Sequence, residues 1–204
     1  MDTIPYPWPY DGADGLAPER LALVVAGAQQ HWTYLADDDA VAGIAALADT
    51  LRDAGVLIVF VRHARPLHTR RPRHDLPIEG TRGWELSITP NARDLVVDTR
   101  SCDGFFGDHL DFELRARGRD HLLACGFAAE VLVDGTVRSA NDRGYECLTL
   151  RNAAVPLHPD TGERVLASVT MSGGIFGAVG STDAVLTALG CSLAQARDSQ
   201  EVVA

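Results

Sequence analysis

From Leu21 onward, short unbroken apolar runs alternate with stretches whose apolar residues recur every three or four positions. The runs at 21–26, "VLIVFV" (56–61), "DLVVD" (94–98), "HLLACGF" (121–127), "YECLTL" (145–150) and "GIFGAV" (174–179) read as strands, the continuous ones covered on both faces. Between the first two, residues 37–55 carry Val41, Ile44, Ala48 and Leu51 at helical spacing behind an aspartate N-cap, with Gly55 as the stop. Asp108 is placed to cap a helix that carries Leu110 and Leu114 and ends at Gly118, and residues 130–143, 159–171 and 181–189 supply the remaining helices. Ser181, Thr182 and Asp183 read as the cap of the last one. Strands alternating with helices predict an α/β fold of three layers, α/β/α, around a central and mostly parallel sheet.

Two segments depart from this rhythm. Residues 1–18 hold four prolines with Tyr6, Trp8 and Tyr10 among them, which predicts an extended arm laid on the domain or on a neighbouring subunit; a proline-rich recognition ligand is the alternative. Residues 62–94 form a long irregular connection, a length that usually shapes a site or an interface. The expected organisation is therefore an arm over 1–18, one domain over 19–190 and a tail over 191–204.

Composition narrows the function class. Of the 204 residues, 46% are hydrophobic and 23% charged, which fits a globular protein rather than a disordered or fibrous one. The net charge of −10 opposes nucleic acid and anionic membranes as partners, because both require a cationic face. The basic stretch "RHARPLHTRRPRH" (62–74) reads as a solvated loop. Cys102, Cys125, Cys147 and Cys191 lack any CxxC pairing and read as reduced thiols, and the start of the chain lacks the cationic and apolar pattern of a leader, so a cytoplasmic protein is expected.

In a parallel sheet, ligands bind outside the carboxyl ends of the strands. Those ends carry "VVAGAQ", "VVDTRSCDGFFG" and "ACGFAAEVLVDG"; with "GWEL" (83–86), "NDRGYECL" (141–148), "TMSGGIFGAV" (170–179) and the opening "PYPWPYDG", they resemble the isochorismatase-like cysteine hydrolases. The resemblance is nearest to the ureidoacrylate and biuret amidohydrolase branch and runs from about Pro5 to Leu189. It implies a triad: a cysteine thiolate at a helix start, an aspartate that takes its proton and a lysine that holds both. Laid on the family's V-I-D-M-Q pattern, with Gln29 as the glutamine, Gly27 stands at the acid's place. In K-x-x-Y-x-A-F, ending at Phe105, Thr99 stands at the lysine's, and in G-V-A-T-N-V-C-V, from Gly126, Leu132 stands at the cysteine's. A glycine exchanges no proton and a leucine attacks no carbonyl, so the chain reads as a catalytically degenerate member that binds a small molecule or serves as a non-hydrolytic subunit.

The alternative is an enzyme using other residues on an amide or related bond. Cys102 with Asp103 beside it is the candidate nucleophile and acid, and Glu130 stands where the dipole of the nucleophile's helix favours a carboxylate. Cys125 lies inside a strand and reads as inert. His31 and Trp32 border the expected pocket, and its ligand-binding wall is assigned to Gln29, Trp84, Phe105, Phe127, Ala128 and Phe176, suited to a flat or aromatic molecule. Some relatives hold a metal through Asp-x-His, but His63 and His68 lack a carboxylate at that spacing, so no metal and no cofactor are expected. The family also implies a non-proline cis peptide ahead of the nucleophile's helix, here Phe127–Ala128, and an oligomer, either of this chain alone or with an active paralogue.

Overall fold

A computed structural model describes residues 1–34, 38–66, 76–107, 109–171 and 173–192. Six strands, β1 (Leu21–Ala26), β2 (Leu57–His63), β3 (Leu95–Thr99), β4 (His121–Phe127), β5 (Glu146–Val155) and β6 (Ala178–Gly180), form one sheet in the order β3-β2-β1-β4-β5-β6. Every neighbouring pair is parallel. All residues of β1 and β4 are buried. Successive side chains of a strand point to opposite faces, so both faces of the sheet centre are covered.

The covering helices are a single turn α1 (Gln30–Thr33), α2 (Asp38–Asp53), α3 (His109–Ala116), α4 (Asp134–Asp142), α5 (Gly162–Met171) and α6 (Thr182–Ala188). In α2 the predicted stripe is real: Ile44, Ala48 and Leu51 are buried, while Val41 lies at the margin. The aspartate cap expected at Asp37 and the cap Asp108 lie outside the described residues. Ser181 caps α6 by accepting the backbone N–H of Ala184 at 3.1 Å.

Several elements differ from the sequence pattern, among them β5, which runs on to Val155 beyond the expected 150. β3 is an edge strand, and Val96 and Asp98 face outward, so its apolar run is covered on one side alone. The strand expected over 174–179 is reduced to Ala178–Gly180, because Gly173, Gly174 and Gly177 all take positive φ and turn the chain before it can pair. The helix expected from 130 begins as a π turn over Ala129–Val133 before α4.

The N-terminal segment packs on its own domain. Ile4 and Val179 exchange backbone hydrogen bonds of 3.0 and 2.7 Å, and Trp8 is fully buried, whereas Tyr10 is exposed. No described helix is long and apolar enough to cross a membrane.

Candidate functional site

The three positions where the triad is expected lie at or just beyond the carboxyl ends of β1, β3 and β4, Gly27 beside Leu132 and Thr99 on the edge strand across β2. Gly27 follows β1 with φ +67, a conformation that favours glycine. Leu132 is fully buried in the π turn beyond β4. A Cβ placed on residue 27 would stand 2.5 Å from Leu132 Cδ1, 3.1 Å from the carbonyl oxygen of Phe127 and 3.4 Å from Trp32 Cδ1. The leucine therefore occupies the room an acidic side chain at 27 would need. Thr99, also buried, donates its hydroxyl to the carbonyl of Asp103 at 3.0 Å and so braces the loop that follows β3.

The backbone is equally self-contained. Phe127–Ala128 is a trans peptide, contrary to the expected cis bond. Gly126 at φ +127 and Ala128 at φ +52 supply the turn instead, at less cost than the roughly 3–4 kcal/mol of a non-proline cis bond. The carbonyl of Ala128 then accepts the N–H groups of Val131 and Leu132 at 2.9 and 2.8 Å. Both N–H groups are thus engaged inside the turn and do not point to a ligand.

The substitute residues have structural occupations. Glu130 accepts from the N–H groups of Leu157 and His158 at 2.9 and 3.2 Å and from the Thr161 hydroxyl, tying the π turn to the loop before α5. Burial raises its pKa, but these hydrogen bonds outweigh it and hold the carboxyl below its ordinary value. Asp103 accepts the N–H of Phe105 at 2.8 Å in a local turn. Cys102 is half-buried, with its carbonyl oxygen against Gly135 of α4. Cys125 is fully buried, and burial pushes its thiol up to about 12.

Several residues assigned to the pocket wall are core or bracing groups. Gln29 is fully buried; its amide donates to the carbonyls of His63 and Trp84 at 3.0 and 3.1 Å and accepts the His63 N–H at 2.8 Å, so it straps the loops together and has no donor left for a ligand. Phe105 packs against Tyr145, ring centroids 5.4 Å apart, and is fully buried; Phe127 and Ala128 are buried to within 2%. Trp84 and Phe176 remain half-buried, each under a guanidinium: Arg62 lies 3.7 Å above Trp84 and Arg138 lies 4.1 Å above Phe176. His31 stands edge-on to the buried Trp32, ring centroids 4.5 Å apart. A cavity of about 600 Å3 between α1, α2 and residues 87–89 borders none of Gly27, Thr99 and Leu132.

One polar group at this end, weighed from sequence only as a metal ligand, has another position in the structure. His63, the last residue of β2, is fully buried. Its Nδ1 lies 2.9 Å from the carbonyl oxygen of Ser101, which fixes the proton on Nδ1 and leaves Nε2 as an acceptor with no partner among the described residues. Burial pulls its pKa down to about 4, so the ring is neutral near pH 7. The indole N–H groups of Trp32 and Trp84 are likewise buried without partners among the described residues. His68 lies outside those residues. Among them no carboxylate gathers with His63 into a group able to hold a metal, so the family's Asp-x-His arrangement does not fit here.

Residues 22–184 match the isochorismatase domain family. The ureidoacrylate amidohydrolase RutB of Variovorax paradoxus is 30% identical over 138 residues, covering 55% of each chain, so the chain spans about half the length of that relative. The isochorismatase family protein YddQ of Bacillus subtilis, itself uncharacterized, is 24% identical over 151 residues, covering 70% of this chain and 82% of that protein. Among solved structures, a cysteine hydrolase of Pseudomonas syringae pv. phaseolicola superposes with a TM-score of 0.74 at 23% identity, covering 85% of this chain and 93% of that one. The pyrazinamidase of Pyrococcus horikoshii in complex with zinc gives 0.69 at 21%, covering 79% and 99%, and these two likenesses establish the fold.

Proposed function

The chain belongs to the isochorismatase domain family, and from that premise we propose that it binds a small molecule at the carboxyl end of the sheet without cleaving it. The loss of hydrolysis rests on one observation: Leu132 fills the volume in front of Gly27, so neither a proton acceptor nor a thiol is present where the family's chemistry needs both. The N–H groups of Val131 and Leu132, already bonded to Ala128, add nothing for a developing oxyanion. Binding is supported by what the same region leaves unsatisfied. A buried acceptor, His63 Nε2, and two buried donors, the indole N–H groups of Trp32 and Trp84, each carry a desolvation penalty that a ligand's polar atoms would relieve. Their chemistry suits a flat heteroaromatic molecule that offers both a donor and an acceptor.

The test is a thermal-shift screen of heteroaromatic amides and acids, followed by an ammonia-release assay on each stabilising compound and on urea-type amides. A ligand that raises the midpoint and quenches tryptophan emission, with no ammonia above the protein-free rate, is the expected result. Sustained ammonia release would overturn the reading. If that activity vanished in Cys102→Ala, the alternative enzyme would take its place.

A further inference from the structure

At the opposite end of the sheet from this site, the first residues of β4 and β5 are neighbours in register, His121 beside Glu146. Asp11 reaches them from the N-terminal segment. His121 is 3% exposed, and its ring lies edge-on to the buried Trp8 with centroids 5.8 Å apart. Nδ1 stands 2.7 Å from Asp120 Oδ1, which places its proton there. Nε2 then faces Asp11 Oδ1 at 3.2 Å and Glu146 Oε2 at 3.1 Å.

Each carboxylate is held by its other oxygen. Arg20 Nη1 grips Asp11 Oδ2 at 2.7 Å, and its Nε and Nη2 clamp Asp120 at 3.0 and 2.8 Å. The backbone N–H of Tyr10 donates to Glu146 Oε1. A bare imidazole lone pair aimed at two carboxylate oxygens is repulsive, so this arrangement requires a cation at Nε2.

A proton and a metal ion make different demands. A charged N–H favours one acceptor at roughly 2.7–2.9 Å. Here two oxygens stand at nearly equal and longer distances, whereas ligands bound at about 2.0–2.2 Å to one ion lie roughly 3 Å apart. Charge points the same way: three carboxylates and one guanidinium sum to −2, which a divalent ion cancels and a proton only halves. Gly15 backs the cluster closely: a Cβ there would stand 2.2 Å from Asp11 Oδ1, 2.6 Å from Pro9 Cβ and 2.7 Å from His121 Nε2, so any side chain at 15 would push the ligand atoms apart.

We propose that His121 Nε2, Asp11 Oδ1 and Glu146 Oε2 bind a divalent ion that fastens the N-terminal segment to the base of the sheet. One imidazole with two carboxylates, and water completing the shell, suits a borderline ion such as Zn2+. Asp120 orients the ring as the outer partner of a metal-bound histidine.

Chelator-treated full-length protein titrated with Zn2+ at pH 7.5 is expected to take up one ion per chain and to gain several degrees in thermal midpoint. Glu146→Gln and Asp11→Asn are expected to weaken binding at least tenfold, and Asp120→Asn by about 10–100-fold. Absorption of the Co2+-loaded protein gives a readout that does not depend on stability. The proposal fails if no saturable binding occurs up to about 1 mM Zn2+, or if binding survives all three substitutions undiminished. It also fails if the metal-free protein is strengthened by lowering the pH from 8 to 6 while Zn2+ has no effect, which would assign the cation at Nε2 to a proton.

Discussion

At the scale of single residues, the site is a packing problem before it is a chemical one. Gly27→Asp places a charged branch against Leu132 Cδ1 and forces φ +67 on a residue with a Cβ. Overpacking and left-handed strain each cost about 1–3 kcal/mol. Urea denaturation is expected to show a loss of that order or larger, with part of it recovered in Gly27→Asp/Leu132→Ala. An undiminished midpoint in the single variant would sink the claim that the leucine owns this volume. His63 gives a prediction of opposite character. The unfolded imidazole takes up a proton near 6.5 and the folded one only near 4, so between those values the unfolded chain binds more protons. Stability from this group is complete above pH 6.5 and falls as the pH drops toward 4, by up to about 3 kcal/mol. His63→Gln is expected to flatten the fall in urea midpoint between pH 7 and pH 5.

At the scale of elements, Glu130 joins the π turn to the loop before α5 through three accepted hydrogen bonds. Glu130→Ala is expected to cost roughly 1–3 kcal/mol, since two backbone donors lose a charged acceptor, and to leave any ligand affinity unchanged. A wild-type midpoint in that variant would show that the tie carries no stability. The same elements mark where a sequence can be read. β1, β2 and β4 were legible because unbroken apolar runs in a parallel sheet have no other way to hide both faces. The shortened β6 was not, because "GIFGAV" has an apolar pattern whose glycines take turn conformations that the pattern does not record. Motif spacing placed Gly27, Thr99 and Leu132 at strand ends, but it could not show that Leu132 stands against the space in front of Gly27. The role of Gln29 was not legible, because a buried amide reads alike from sequence whether it serves a ligand or, as the hydrogen bonds here show, three backbone groups.

At the scale of the whole molecule, the two ends of the sheet differ: Leu132 fills the space in front of Gly27 at one, and His121, Asp11, Asp120, Glu146 and Arg20 crowd the other. The segment that closes the charged end is anchored by Trp8, fully buried beside His121. Trp8→Ala is expected to lower stability by about 3–5 kcal/mol and to speed proteolysis of residues before β1, measured by limited digestion. Digestion of that segment at the wild-type rate would argue that it holds by other means.

The contact between Leu132 and the space above Gly27 also orders the ways in which this chain can change. An acid cannot be admitted at 27 until 132 has shrunk, and a smaller residue at 132 opens an unfilled hole before any gain in reactivity arrives. Each single step toward an acid at 27 thus lowers stability before the pair of substitutions is complete. The order of substitutions at 27 and 132 matters as much as their number, and a laboratory lineage selected to carry an acid at 27 is expected to acquire compensating substitutions elsewhere in the sheet first.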